Sequence, residues 1–287
     1  MVTERQNSDL RFHACFASTP GLKRDLNEDA MLAQFPVFVV ADGMGGHSAG
    51  EVASGLVVEG LQPLVGRSDL TNVEVADALA NVQRDVTALS NTLPGGAGST
   101  LTGVVATRSA QGNLEWFVTN IGDSRTYRVL GDRIVRATVD HSLVQELIDD
   151  GSITPEEASR HPEKNVITKA FGDGESLPDM WVTPIAAGER ILALSDGALE
   201  GVSDEDLLRL LQEFPNSAEA ARTIVELALA NGGSDNISVV LVDVEGETPT
   251  TTLPTLTPFP TLGGGPRADQ GAPPDDKTIP AASRRKP

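Results

Sequence analysis

Apolar residues change their period several times along the chain, and each change marks an element. Residues 37–41 (VFVVA) form an unbroken apolar run between Pro36 and the glycines Gly43, Gly45 and Gly46. That pattern predicts a buried strand that stops at Asp42. Residues 12–19 alternate, with Phe12, Ala14 and Phe16 on one face and His13, Cys15 and Ala17 on the other, and predict a first strand closed by Gly21. The polar stretch 22–29 (LKRDLNED) leads into a short apolar run at 30–35. After the glycine cluster, residues 48–65 predict a helix ended near Pro63. Residues 71–93 carry the clearest helical signal: Val75, Leu79, Val82, Val86 and Leu89 recur at spacings of four and three, and Thr71 with Glu74 forms a capping box.

Beyond the break at 94–98 the period returns to two. Residues 99–107 and 114–121 read as strands joined by a polar turn, and 125–130 and 133–137 as a hairpin around Gly131-Asp132. Tight turns alone separate these four strands, which predicts an antiparallel sheet, because a parallel pair needs a long crossover. Two short capped helices follow, one opened by Ser142 and Gln145, the other by Thr154, Pro155 and Glu157. Strands at 182–184 and 191–194, helices at 203–213 and 217–230, and a last strand at 236–244 complete the pattern. Nine or ten strands, mostly adjacent in sequence, predict an α+β fold: a central antiparallel β-sandwich flanked by helices on both sides, in four layers αββα. From residue 247 the chain changes character, for nine of its 18 prolines lie in the last 41 residues among Thr and Gly. The expected organisation is a folded domain at 1–246 and a disordered Pro/Thr/Gly-rich tail at 247–287.

Composition narrows the partners. A net charge of −19 and an aromatic share of 4% disfavour nucleic acid, which needs clustered cations and stacking surfaces. The tail carries four acids and five bases, so the negative excess belongs to the folded part. Cys15 is the sole cysteine, so neither an internal disulfide nor a cysteine zinc cage can form. No apolar run approaches the length of a membrane span, and the polar start (MVTERQNSDLR) does not have the pattern of a signal peptide. A cytoplasmic monomer is the expectation.

Candidate chemistry comes from acids at strand tips. Asp42, Asp123 and Asp196 each follow an apolar strand, Asp235 immediately precedes the last one, and Glu28 and Asp29 sit on the connection into the same sheet. Singly, each is an ordinary turn residue. Together they would repel unless a cation compensated them, and an all-oxygen donor set points to magnesium or manganese. Gly46-His47-Ser48-Ala49-Gly50 also matches the G-x-S-x-G elbow of serine hydrolases, with Ser48 as nucleophile. That reading requires a parallel sheet and a late histidine, whereas the strands predict an antiparallel sheet and the last histidine is His161.

Seven separated motifs carry a resemblance. Arg24 with Asn27-Glu28-Asp29, Ala41-Asp42-Gly43-Met44-Gly45-Gly46-His47, Gly98-Ser99-Thr100, Asn120-Ile121-Gly122-Asp123-Ser124-Arg125, Asp140-His141-Ser142, Ser195-Asp196-Gly197 and Gly233-Ser234-Asp235-Asn236 occur in the order and spacing of one family. Over residues 12–244 the chain resembles the PP2C (PPM) family of metal-dependent protein serine/threonine phosphatases, and looks most like its short bacterial members. The resemblance implies a β-sandwich flanked by helices that hydrolyses phosphoserine and phosphothreonine at two Mn2+ or Mg2+ ions, without a phosphoenzyme. It implies that Asp42 bridges both ions, that Asp196 and Asp235 complete one, and that the Gly43 carbonyl and Glu28 serve the other. Asp123 matches the aspartate of a third, weaker metal position; Asp29 would orient water and Arg24 would hold the substrate phosphate. Many eukaryotic members carry His directly after the Asp-Gly pair, where this chain has Met44, so the general acid is either His47 or a metal-bound water. Implied partners are phosphorylated proteins, Ser/Thr kinases among them. The alternative within the family is an inactive module that only binds phosphoproteins.

Overall fold

The computed structural model describes residues 10–46, 49–247 and 250–259, together with the backbone of 3–7. The chain opens with β1 (Thr3–Asn7) and β2 (Leu10–Thr19), followed by the hairpin β3 (Asp29–Gln34) and β4 (Val37–Gly45). Helices α1 (Ala49–Leu61) and α2 (Asn72–Ser90) precede β5 (Ala97–Ser99), β6 (Leu101–Arg108), β7 (Leu114–Ile121), β8 (Arg125–Leu130) and β9 (Arg133–Arg136). Two short helices, α3 (Leu143–Asp149) and α4 (Pro155–Ala158), lead to β10 (Asp179–Pro184) and β11 (Arg190–Leu194). Then come α5 (Asp204–Glu213), α6 (Ser217–Ala230), β12 (Ile237–Gly246) and β13 (Thr257–Pro258). One sheet has the order β1-β2-β12-β11-β8-β9 and the other β13-β10-β7-β6-β4-β3, with β5 paired to β4; all neighbours are antiparallel.

Three apolar layers follow from the strand period. Residues of one parity meet between the sheets, where Trp116 stands edge-on to Phe12 and Phe38 at 5.6 and 6.0 Å. Residues of the other parity face helices: Val37, Val39 and Ala41 of β4 pack against Ala53, Val57, Val75 and Leu79 of α1 and α2. On the opposite flank Cys15, Val239 and Leu241 pack against Leu207, Ala221 and Ile224 of α5 and α6. The four-layer α+β expectation therefore holds, with aliphatic residues filling most of the core. Capping boxes at Thr71/Glu74 and Thr154/Glu157 start α2 and α4 as their sequences predict. Among the described residues no helix is long and apolar enough to cross a membrane.

The structure departs from the sequence reading at four places. An extra edge strand, β1, pairs with the start of β2. Strand β4 does not stop at Asp42 but runs to Gly45, because β5 supplies a partner for Gly43, Met44 and Gly45. The four strands expected in an antiparallel sheet are split: β6 and β7 lie in one sheet, β8 and β9 in the other. The chain crosses at Gly122, which adopts a φ of +100°, and hydroxyl pairs Thr100–Ser124 (2.9 Å) and Thr102–Thr126 (2.8 Å) fasten the two sheets beside the crossing. The fourth concerns the tail expected to be disordered from residue 247.

Residues 250–259 of that segment lie along the edge of β10. Thr257 and Pro258 pair with Val182 and Trp181, Leu256 packs on the inter-sheet core, and the Phe259 ring meets Phe117 at 5.4 Å. The anchor is a fully buried ion pair between Arg128 and Glu189 (2.7 Å), in which Glu189 also accepts from the Trp116 indole and the Ala186 amide. Arg128 Nη1 donates to Thr183 Oγ1 at 3.1 Å and to the Pro254 carbonyl at 2.7 Å. A buried guanidinium needs every donor met, and a proline-rich segment with free carbonyls is a suitable acceptor. The rest of the tail call, residues 260–287, lies outside the described residues.

Candidate metal centre

All the candidate acids sit at one end of the sandwich, brought there by different elements. Asp29 and Asp42 are direct cross-strand partners where the β3–β4 pairing ends, at the first residue of β3 and three residues before the end of β4. Two like charges in that position disfavour the pairing unless something neutralises them. Asp123 occupies the crossing between the sheets. Asp196 opens a single 3-10 turn after β11, and Asp235 lies just before β12.

Electrostatics ties the group together. Burial, and then the charges of Asp29, Asp196 and Asp123, push the Asp42 carboxyl well above the usual carboxylate range; its side chain is within hydrogen-bond reach of Asp196. Asp196 is raised by burial and then by Asp235. Burial raises Asp29 to about 6, the hydroxyls of Ser238 and Ser195 pulling it down and Asp196 and Asp235 pushing it up. Asp123 is raised to about 7 by burial, then by Asp196 and Asp140. Buried carboxylates that raise one another in this way form a site whose charge is uncompensated.

The backbone contributes as well. Gly43 N donates to the Glu28 carbonyl at 3.2 Å, and a Cβ on Gly43 would collide with the Gly50 carbonyl. Gly50 lies in the first turn of α1; a Cβ there would come within 2.7 Å of the Gly43 oxygen and 2.9 Å of Glu28 Oε1. Strand and helix therefore touch main chain to main chain, which brings the Gly43 carbonyl and the Glu28 carboxylate together. Arg24 stands at the rim, exposed, with Nη2 2.7 Å from Asp235 Oδ2. Its charge is held first by Asp235 and also by Glu28 and Asp42. A cavity of about 860 Å³ opens beside the centre, lined by Asp123, Asp196 and Asp235 and by the segment containing α3 and α4.

Glu28, Asp29, Asp42, Gly43, Asp123, Asp196, Asp235 and Arg24 are thus neighbours. His47, the proposed proton donor, and Ser48, the rival nucleophile, lie outside the described residues. Strand β4, which leads to Ser48, is antiparallel to both neighbours, unlike the strand of a nucleophile elbow. Among the described residues no three His, Cys, Asp or Glu side chains close into a ready-made cage. The donor set nevertheless fits a hard divalent cation: it is all oxygen, and Asp123 Oδ1 and Asp196 Oδ1 are buried without a hydrogen-bond partner.

Three supporting residues carry no role in the sequence reading. Asn236, nearly buried, donates to the carbonyls of Pro20 (3.1 Å) and Leu26 (2.8 Å) and accepts from the Glu28 amide (2.8 Å), so it fixes the loop that presents Arg24. Thr100 accepts from the Asp42 amide at 3.0 Å. His141 Nδ1 accepts from the Gly122 amide at 3.2 Å beside the Asp123 turn. All three stand in motifs noted from sequence, which was the available signal; their partners are distant in sequence.

Fold and donor set define a class, the four-layer sandwich with a carboxylate centre at one end of its sheets. A family model described as protein phosphatase 2C matches residues 23–231. Over 244 residues the chain is 38% identical to the serine/threonine protein phosphatase PstP of Mycobacterium tuberculosis, covering 82% of this chain and 45% of that protein. The serine/threonine phosphatase stp of Listeria innocua is 34% identical over 245 residues, 80% of this chain and 95% of its own length. A crystal structure of the PstP catalytic domain in complex with two manganese ions superposes with a TM-score of 0.74 at 37% identity, covering 82% of this chain and 99% of that one. The chain belongs to the protein phosphatase 2C family. It spans a little under half the length of the mycobacterial relative.

Proposed function

We propose that this chain hydrolyses phosphoserine and phosphothreonine in proteins at a centre of two divalent cations, Mn2+ or Mg2+, without a phosphoenzyme. The observation that carries the reading is the convergence of Asp29, Asp42, Asp123 and Asp196 in one mutually repelling group with orphaned oxygens on Asp123 and Asp196, beside Asp235 at the rim. Family membership and the printed names of the relatives support the activity. When bound, two such cations would neutralise the carboxylates and lower the pKa of a water from about 15.7 towards 7, which supplies a nucleophile at neutral pH.

In this proposal Asp42, Asp196 and Asp235 would hold one ion, and Asp42, the Gly43 carbonyl and Glu28 the other. Asp123 holds a third, weaker position. Arg24 is free at the rim to fork two phosphate oxygens, exchanging its contact with Asp235 for the substrate. Asp29, a carboxylate whose affinity for a proton is raised by burial and by Asp196 and Asp235, orients the attacking water and accepts its proton. His47 is the candidate donor to the leaving seryl or threonyl oxygen. The substrates are phosphorylated proteins, protein kinases that carry phosphoserine or phosphothreonine among them.

The test is hydrolysis of an aryl phosphate and a phosphothreonine peptide with and without manganese. The expected result is turnover that requires the metal, is abolished by chelator and falls by more than 90% in Asp235→Asn with the fold retained. Ester hydrolysis indifferent to chelator, or unchanged phosphatase activity in Asp235→Asn, would refute it.

A further inference from the structure

Six large apolar side chains are exposed among the described residues: Phe16, Leu22, Leu26, Val52, Val73 and Val166. Single exposed apolar residues are ordinary, but their distribution here is uneven. Val73, at the start of α2, lies at the far end of the sandwich, where Thr71 bridges Arg108. Leu22, Leu26, Val52 and Val166 lie toward the end that holds the acids, whereas Phe16 pairs with Val240 within β2 and β12. Val52 is in the first turn of α1, next to Gly50. Val166 accepts from the Leu143 amide, and the same segment reaches His141 through Thr168.

Leu22 and Leu26 matter most, because they flank Arg24 on one loop and are 68% and 50% exposed. Their exposure is imposed by the fold. Asn236 grips the carbonyls of Pro20 and Leu26, and the Leu22 amide donates to the Gly233 carbonyl at 2.7 Å. Lys23 and Asp25, which alternate with them, offset each other in charge. Besides the Arg24 guanidinium and this charge-balanced pair, the loop offers a ligand the apolar surface of the two leucines.

We infer that the loop carrying Arg24 is a docking surface for the residues flanking the phosphorylated one, and that it selects extended substrate segments with apolar side chains there. This rests on the proposed phosphatase reading, which puts the phosphate at Arg24. The spacing supports it: Leu22 and Leu26 have Cα atoms at most about 7.6 Å from that of Arg24, the same reach that separates a phosphoresidue from its neighbours two places away. A phosphate held by Arg24 would set those neighbours within reach of the loop, and covering its two exposed leucines would remove apolar surface from water on both sides.

The experiment compares two phosphothreonine peptide series of equal charge, one with Leu or Val at positions −2 to +2 and one with Ser or Gln there. Aryl phosphate measured in parallel reports the catalytic centre alone. The wild-type chain is expected to prefer the apolar series by about tenfold in kcat/KM, expressed mainly in KM, the factor appropriate to covering two half-exposed leucines. In the double variant Leu22→Ser, Leu26→Ser that ratio is expected to fall below about twofold, whereas Val73→Ser keeps it. Equal cleavage of the two series by the wild-type chain, or a ratio unchanged in the double variant, overturns the inference. Absence of metal-dependent aryl phosphate turnover in the wild-type chain would sink the phosphatase reading beneath it, a result separable from loss of the preference.

Discussion

Ending the chain at residue 247 takes the Pro254 carbonyl away from Arg128, whose side chain is 2% exposed. Thr183 then remains as the acceptor for Nη1, at 3.1 Å. Losing a hydrogen bond to a buried charged group costs about 1.5–3 kcal/mol. The edge-to-face contact of Phe259 with Phe117 adds about 0.5–1.5 kcal/mol. Freedom returned to the released residues opposes the loss of backbone pairing and of apolar burial, so the expected net effect is that of the anchor and the ring contact, about 2–4 kcal/mol. For a domain of this size that lowers Tm by about 5–15 °C. The assay is thermal unfolding of chains ending at 247 and at 259, with Phe259→Ala in the full chain as a milder version. The 1–259 chain should melt with the full-length protein and the 1–247 chain well below it. Aryl phosphate turnover at 25 °C should be equal in all, because the docked segment bonds to β10, Ala187 and Arg128 and to none of the acids of the centre. If the 1–247 and 1–259 chains melt within about 1 °C of each other, the Arg128 anchor contributes nothing and the account of residues 250–259 is wrong.

Two further outcomes follow from the centre. Asp29 and Asp123 have folded-state pKa values raised from 3.8 to about 6 and about 7, so the metal-free native state binds more protons than the unfolded chain across that interval. Their stabilising contribution is fully present below about pH 4 and is lost as pH rises through 6 to 7. Metal-free protein should therefore lose Tm between pH 5 and 8 while protein saturated with manganese should not; parallel curves would count against the uncompensated acid cluster. Asn236→Ala removes three hydrogen bonds of about 0.5–1.5 kcal/mol each and should destabilise by about 2–3 kcal/mol in urea unfolding. Because that side chain fixes the Arg24 loop and Glu28, KM for aryl phosphate and the manganese requirement should both rise about 10- to 100-fold. A change in stability alone would make Asn236 a purely structural residue.

Local signals reached far in this chain. Alternation and continuous apolar runs gave most strands of both sheets, β1, β5 and β13 excepted, caps fixed the starts of α2, α3 and α4, and acids at strand ends pointed to the end of the sandwich where they gather. What sequence could not show were pairings decided by distance. The turn at Gly122–Ser124 is as short as a hairpin, so nothing local distinguishes a return along one sheet from a step to the other; the hydroxyl pairs that settle it join residues 24 apart. Leu256 and Phe259 are isolated among Thr and Pro, and composition reads such a stretch as unstructured. Their docking depends on Arg128, more than a hundred residues earlier, whose buried partner Glu189 is an ordinary charged residue in the sequence. Asn236 likewise reveals its role only when the loop 20–28 folds back over it.

The contact between Gly43 and Gly50 limits how this centre can be altered. A carbonyl seated against a helix backbone has no rotamer to change, so its position follows the docking of α1 on the sheet. Attempts to retune metal preference by varying these two glycines would act on helix seating first and on coordination only through it. On the proposed assignment the adjustable donors would be the carboxylates, and a selection for altered ion specificity should then accumulate its changes at Glu28 and Asp123 while the glycine pair stays fixed.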